Sequence, residues 1–177
     1  IRLSLVGSEM CIRDRDGVIR LITTNFDKLF AEAAKQLDLS LNSFNAPMLP
    51  IPKKNKWNGI VYLHGILPDS KDEEALNRLV ISSGDFGLAY LVERWASRFV
   101  SDLFKNYTVC FAGYSIDDPV IRYMMDAIAA DRSLGESSPP AYVFGSYKEG
   151  DHEQSFMKWE SKNVHPILYK AENSSHS

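Results

Sequence analysis

The sequence is poor in cysteine, has no long apolar run and carries little net charge, and each shortage excludes a class of protein. Its 177 residues include two cysteines, Cys11 and Cys110, too few for a disulfide framework or a four-thiolate zinc site. No run of about 18 apolar residues is present, so no segment is predicted to span a bilayer. A net charge of -3 gives no reason to expect nucleic acid or an anionic membrane as a partner. A cytoplasmic protein is the default expectation.

Short apolar runs alternate with helical patterns along the chain. Buried parallel strands are predicted at residues 18–24, 60–63, 108–112, 141–144 and 164–169. Helices are predicted at residues 29–37, over one long stretch from Asp85 to Leu103, from Asp118 to Ile128, and at residues 154–161. The alternation predicts an α/β fold with a Rossmann-like parallel sheet and helices on both faces.

Polar and glycine residues collect where the predicted strands end. Ligands of an open parallel sheet bind beyond the carboxyl ends of its strands, so these positions predict a binding site. The candidates, in the order of the strands that they follow, are Thr24, Asn25, Asp27, His64, Gly113, Ser115, Gly145 and Ser146.

Each candidate, taken singly, also has a structural interpretation. Asn25 and Asp27 can cap the helix that follows them. His64 can be a turn histidine that is hydrogen-bonded to the backbone, and the glycines can be turn or packing positions. These alternatives stay open for the residues considered one at a time.

Three segments taken together resemble the SIR2-type (sirtuin-like) family. Residues 23–27, TTNFD, resemble its T-x-N-x-D motif, and residues 62–65, YLHG, resemble the strand that ends in its catalytic His-Gly. Residues 111–119, FAGYSIDDP, are similar to the G-Y-S-x-x-D-P form of prokaryotic SIR2-like proteins. The three occur in the family's order, and the resemblance extends over about residues 16–169.

The resemblance implies a SIR2/DHS-like fold that takes NAD as its substrate. By position, His64 would be the base on a ribose hydroxyl, Asn25 would hold the ribose and orient the attacking water, and Asp27 would accept a hydrogen bond from the carboxamide. Thr24 would also bind NAD. The remaining candidates would line the ribose and phosphates (Gly113 and Ser115) or face the adenosine end (Gly145 and Ser146).

One departure from the protein-deacylating members bears on the reaction. The two C-x-x-C pairs of their zinc module are lacking, so no zinc is expected, and water is favoured over an acyl-lysine as the acceptor. An NAD hydrolase of the antiviral-defence type is therefore the first hypothesis. An NAD-dependent protein deacylase and a non-catalytic nucleotide-binding module are the alternatives, and a homo-oligomer and further domains stay open.

The start of the chain resembles something other than a protein family. Residues 5–15, LVGSEMCIRDR, resemble one translated frame of a transposase adapter oligonucleotide used in DNA library preparation. We therefore expect natural sequence from about Asp16, a partial domain over residues 16–170 and a truncated polar tail at 171–177. The family's first strand and Gly-rich phosphate loop would then be missing, and the chain as written is expected to bind NAD weakly. The alternative is a genuine β-strand at residues 1–6.

Overall fold

The computed structural model describes residues 17–53, 56–113, 125–126 and 139–171. The chain divides into two compact units, with the boundary between Phe99 and Val100. Each unit contains a three-stranded sheet in which neighbouring strands run parallel. The predicted class, an α/β protein with parallel strands consistent with a Rossmann-like fold, is confirmed. Within the described residues, the strands pair as one three-stranded sheet in each unit.

The sheet of the first unit has the order β1-β3-β2, and its three strands end at the same level. Tyr62, the last residue of β3, is opposite both Thr23 of β1 and Asn45 of β2. All four residues of β3 are buried, which explains its continuous apolar sequence. These strands are β1 (Arg20–Thr23), β2 (Ser43–Asn45) and β3 (Gly59–Tyr62). The prediction missed β2, because a three-residue strand is too short to show a periodic pattern.

Helix α1 (Leu29–Gln36) follows β1, as predicted. Its Glu32 lies in the first turn and its Lys35 in the last, the arrangement that the helix dipole favours. A short helix α2 (Glu73–Leu76) lies in the charged stretch from Asp69 to Arg78 that follows β3, and none of its residues is buried. Its N-cap is Asp72, whose Oδ1 accepts a hydrogen bond from the Ala75 amide at 3.1 Å.

The prediction of one continuous helix from Asp85 is wrong. The structure has helix α3 (Ser83–Gly87), a π-helical turn (Leu88–Val92) and helix α4 (Trp95–Asn106). The π turn is closed by the bond from Glu93 N–H to the Leu88 carbonyl, at 2.8 Å. Arg94 then takes the left-handed φ of 61°, which ends the segment before α4 begins. The spacing of the aromatic residues does not reveal this break, because Phe86, Tyr90, Trp95 and Phe99 recur across it every four or five residues, close to the helical repeat.

The sheet of the second unit has the order β4-β5-β6. Its elements are β4 (Val109–Phe111), β5 (Ala141–Tyr147), helix α5 (His152–Glu160) and β6 (His165–Lys170). The predicted end of the fourth strand is wrong, since β5 continues through Gly145 and Ser146, which pair with Leu168 and Tyr169. The predicted helix from Asp118 lies outside the described residues, apart from Met125 and Asp126, which are helical. Among the described residues, no helix is long and apolar enough to cross a membrane.

Replacing Gly59 with alanine tests the close approach at the start of β3. Gly59 has a φ of 119°, and a Cβ there would lie 2.0 Å from the Asn42 carbonyl oxygen. We expect Gly59→Ala to lower the free energy of unfolding by about 2–4 kcal/mol through backbone strain and overlap. Urea titration provides the measurement.

Gly87→Ala is the matched control, because Gly87 is helical and nothing lies within 4 Å of its added Cβ. It is expected to leave stability unchanged or raise it by up to about 1 kcal/mol. Equal effects of the two substitutions would contradict the close approach seen at Gly59.

Candidate functional site

Two segments that follow β1 and β3 are joined by backbone hydrogen bonds. The Leu63 amide donates to the Thr23 carbonyl at 2.9 Å and continues the β1–β3 pairing by one residue. Farther along, the Leu67 amide donates to the Phe26 carbonyl, also at 2.9 Å. The segment that holds Asn25 and the segment that holds His64 are thereby fixed beside each other at one edge of the sheet.

Thr23 shapes the turn that carries Asn25. Its hydroxyl oxygen accepts a hydrogen bond from the Asn25 amide at 3.1 Å, a side-chain turn spanning two residues. Thr23 is 4% exposed, whereas Asn25 is exposed and Thr24 half-buried. The buried hydroxyl therefore bends the chain at the end of β1 so that the Asn25 residue stands at the surface.

Asp27 makes the same kind of turn before α1. Its Oδ1 accepts a hydrogen bond from the Leu29 amide at 3.0 Å, but the N-cap residue of α1 is Lys28, so Asp27 forms a side-chain turn directly before the helix and is not its N-cap. A carboxylate has a second oxygen, which leaves acceptor capacity for a ligand amide. Burial raises the pKa of the Tyr62 phenol, and the negative charge of Asp27 raises it further. The charge of this carboxylate is therefore felt at the last residue of β3.

His64 is 7% exposed and is one of the two buried polar residues among the described part of the chain. Its carbonyl accepts a hydrogen bond from the Val80 amide at 2.9 Å. Its Nε2 lies 3.0 Å from the hydroxyl oxygen of Tyr90, and the two rings meet edge to face. The backbone bond matches the turn-histidine interpretation, but the buried bond from the ring to Tyr90 gives the imidazole a fixed orientation as well.

Gly65 completes the turn after His64. Its φ of 95° is in the left-handed region, and a Cβ there would lie 2.6 Å from Cδ2 of Leu79. The Gly65 amide donates to the Tyr62 carbonyl at 3.1 Å. Only glycine satisfies both the backbone angle and the contact without strain, and the angle turns the chain away directly after the imidazole.

An ion pair at the surface also joins the two segments. Lys28 Nζ lies 2.5 Å from Asp69 Oδ1, and Asp69 is almost fully exposed. The hydrogen bond and charge of Lys28 lower the pKa of the Asp69 carboxyl. Because exposed pairs contribute little to stability, we assign this pair no more than a local effect on the loop.

The remaining candidates belong to the second unit or lie outside the described residues. Gly113 follows β4 with a φ of 74° and open space around the position of a Cβ. Gly145 has a packing role, because a Cβ there would lie 3.0 Å from Cδ2 of Leu168 and 3.4 Å from Nε1 of Trp159. Ser146 is exposed within β5. Ser115 lies outside the described residues.

Two residues beside the site were not given a role from the sequence. By its spacing, Tyr90 falls on the apolar face of the helix predicted from Asp85 to Leu103, and nothing in that spacing signals a bond to a histidine 26 positions earlier. Thr23 belongs to the quoted motif, but its position two residues before Asn25 is the signal that predicts a side-chain turn. In the described residues, no group of three or more His, Cys, Asp or Glu side chains is placed to hold a metal ion.

Comparison with known proteins decides the family. Residues 19–167 match the family model described as a SIR2-like domain. The chain belongs to the SIR2-like family. This membership confirms the resemblance seen in the three motifs and gives the domain an NAD-related role.

One curated relative of this SIR2-like domain is an uncharacterized protein, y4cA, from Sinorhizobium fredii (strain NBRC 101917 / NGR234). The two are 30% identical over 164 residues, which cover 90% of this chain and 14% of that protein. The chain therefore spans a small part of the length of the curated relative that it matches.

Thr23→Val tests the turn that positions Asn25. The substitution keeps the shape of the side chain but removes the acceptor of the Asn25 amide. We expect the free energy of unfolding to fall by about 1–2 kcal/mol, the usual effect of losing such a bond. Chemical denaturation measures it, and Thr108→Val, at an exposed threonine, should change stability by less than about 0.5 kcal/mol. A Thr23→Val protein as stable as its control would contradict the turn.

The cap of α3 predicts a pH dependence. Asp85 Oδ2 accepts hydrogen bonds from the Ser82 amide and hydroxyl, both at 2.8 Å, while the Ser82 hydroxyl accepts from the Asp85 amide. The bond from the Ser82 amide is the main cause that lowers the pKa of Asp85 below 3.8. A lowered folded-state pKa contributes stability above the unfolded-state pKa, and the contribution is lost as the pH falls through the folded-state pKa.

We therefore expect Asp85→Asn to lower the melting temperature above about pH 5 and to converge with the wild type as the pH falls through the lowered folded-state pKa of Asp85. Thermal unfolding followed over this range gives the difference at each pH. Glu93→Gln, at the exposed end of the same segment, is the control. A difference that is constant with pH would contradict the assigned role of the ionised carboxylate.

Proposed function

We propose that this SIR2-like domain is the catalytic part of an NAD hydrolase. In the reaction, the bond between the nicotinamide nitrogen and the ribose carbon breaks and water adds to that carbon. The products are nicotinamide, ADP-ribose and a proton. The transition state has oxocarbenium character, so the site has to hold the ribose, orient the water and accept a proton.

The observation that carries the proposal is the placement of Asn25 and His64 on two hydrogen-bonded segments at one edge of the sheet. The bonds from Leu63 to Thr23 and from Leu67 to Phe26 fix these segments. An amide, a carboxylate and an imidazole at one strand edge match the hydroxyl and carboxamide groups that NAD presents.

Each side chain has a separate task in this proposal. Asn25, exposed after its turn, hydrogen-bonds the ribose and orients the water. The second oxygen of Asp27 accepts from the carboxamide, while the first keeps its bond to Leu29. His64 takes the proton from a ribose hydroxyl, a task that suits an imidazole held in one orientation. Thr24 extends the same edge. The roles of Gly113, Ser115, Gly145 and Ser146 stay predictions of the resemblance.

The choice of water as acceptor is supported by the sequence between His64 and Gly113. A single cysteine, Cys110, lies in this interval, whereas the zinc module of the deacylating members needs four. Under the hydrolase proposal, the protein would act in antiviral defence as an effector that depletes NAD. A deacylase and a non-catalytic NAD-binding module are the outcomes that the experiment has to separate.

Nicotinamide release from NAD, without any peptide, is the test, made on the full-length natural protein that contains this sequence. We expect turnover by the wild type and a loss of about 100- to 10,000-fold in His64→Gln, because the base is removed. Asn25→Ala should lose activity as well, with stability unchanged within about 0.5 kcal/mol because the side chain is exposed. The measurement is nicotinamide quantified by chromatography.

His152→Gln is the matched control, since His152 is an exposed histidine of the second unit. It should keep wild-type turnover. Nicotinamide release that requires an acyl-peptide would identify a deacylase. NAD binding without turnover, with or without peptide, would identify a binding module.

A further inference from the structure

The hydroxyl oxygen of Tyr90 lies 3.0 Å from Nε2 of the His64 imidazole. Tyr90 is 1% exposed and His64 is 7% exposed, so both groups of this bond are withdrawn from solvent. We propose that Tyr90 is a positioning residue of the site. Its hydroxyl oxygen accepts a hydrogen bond from the Nε2–H group of His64, so the lone pair of the ring is on Nδ1. The proposal rests on the proposed function of His64 as a base.

The Tyr90 ring is held firmly enough to fix another side chain. It stacks on Phe86 with a centroid distance of 4.2 Å and an angle of 17° between the ring planes. The carbonyl of Tyr90 accepts a hydrogen bond from the Ser97 hydroxyl at 2.8 Å. The ring and the backbone of Tyr90 are thus restrained separately, and the hydroxyl keeps one position relative to His64.

The Tyr90 side chain projects from a π-helical turn instead of a regular α-helix. Tyr90 is the middle residue of the π turn, in which the carbonyl of Leu88 pairs with an amide five residues later. A π turn rotates the side chains that follow it relative to a regular helix. The capping box of Ser82 and Asp85 fixes the start of this segment, and the left-handed Arg94 fixes its end.

The chemistry of a base selects the direction of the bond. Either a tyrosine hydroxyl or a neutral imidazole can donate, and the proton of the ring is on one nitrogen only. A histidine that accepts a proton from substrate must keep the other nitrogen unprotonated, and the orienting group must accept from the protonated one. Since Tyr90 contacts Nε2, the proton belongs on Nε2 and the lone pair on Nδ1.

Tautomer measurement by nuclear magnetic resonance tests the proposal without any turnover. Nitrogen-15 correlation spectra of the histidine rings are recorded at about pH 8, where an ordinary imidazole is neutral. The His64 signals are assigned by their loss in His64→Gln. We expect the Nε2–H tautomer in the wild type and a mixture of both tautomers in Tyr90→Phe, which keeps the stacked ring but lacks the hydroxyl.

Tyr142→Phe is the matched control, because Tyr142 also contacts a histidine ring, His165, in the second unit. It should leave the His64 spectrum unchanged. An Nδ1–H tautomer in the wild type would overturn the proposal, and so would an unchanged tautomer population in Tyr90→Phe.

Steady-state kinetics provide the second readout. We expect Tyr90→Phe to lower kcat for NAD by about 10-fold with KM changed by less than about twofold, since the hydroxyl orients the base and does not bind substrate. An equal kcat for Tyr90→Phe and the wild type would overturn the positioning role. If the wild type releases no nicotinamide, the proposed function fails, while the tautomer spectra still decide whether Tyr90 orders the His64 ring.

Discussion

Parallel pairing of β1 with β3 is the constraint on which the site depends. Thr23 and Tyr62 are opposite each other as the last residues of their strands, so whatever follows them begins at the same level of the sheet. The pairing continues for one more bond, from Leu63 to Thr23, before the chains separate. A one-residue slip of β3 would move His64 away from the level of Asn25 and would reverse the faces to which the β3 side chains point.

The polar groups at this edge of the sheet combine structural tasks with the ligand-binding tasks that we propose for the same residues. One carboxylate oxygen of Asp27 accepts a hydrogen bond from the Leu29 amide and the other is retained, while the Thr23 hydroxyl oxygen accepts from the Asn25 amide. His64 holds the following loop through its carbonyl while its ring meets Tyr90. The structural interpretations of these residues and their functional ones are therefore compatible. Local hydrogen bonds place the groups, and the atoms that remain are those that the proposed function assigns to NAD.

The segment from Phe86 to Tyr90 is interrupted by a π turn, and its Tyr90 hydroxyl contacts the His64 ring. A regular helix through Phe86 and Tyr90 would continue to Phe99, but the π turn and the left-handed Arg94 divide it. The division costs regular backbone hydrogen bonds, which the Ser97 hydroxyl partly restores. Such interruptions are frequent near functional sites because they direct one side chain without altering the remainder of the element.

The sequence by itself determined the α/β class, most of the strands and the family, because apolar periodicity and three short motifs are local signals. It also placed Asn25 and His64 at strand ends, since strand ends follow from where an apolar run stops. Only the tertiary structure decided that Gly145 packs against Trp159, that the helix after Ser82 is broken, and that Tyr90 meets His64. The Gly145 and Tyr90 contacts join residues far apart in the chain, and no local pattern of residue types encodes such a distance. The break in the helix is local, but the apolar spacing continues across it and hides it.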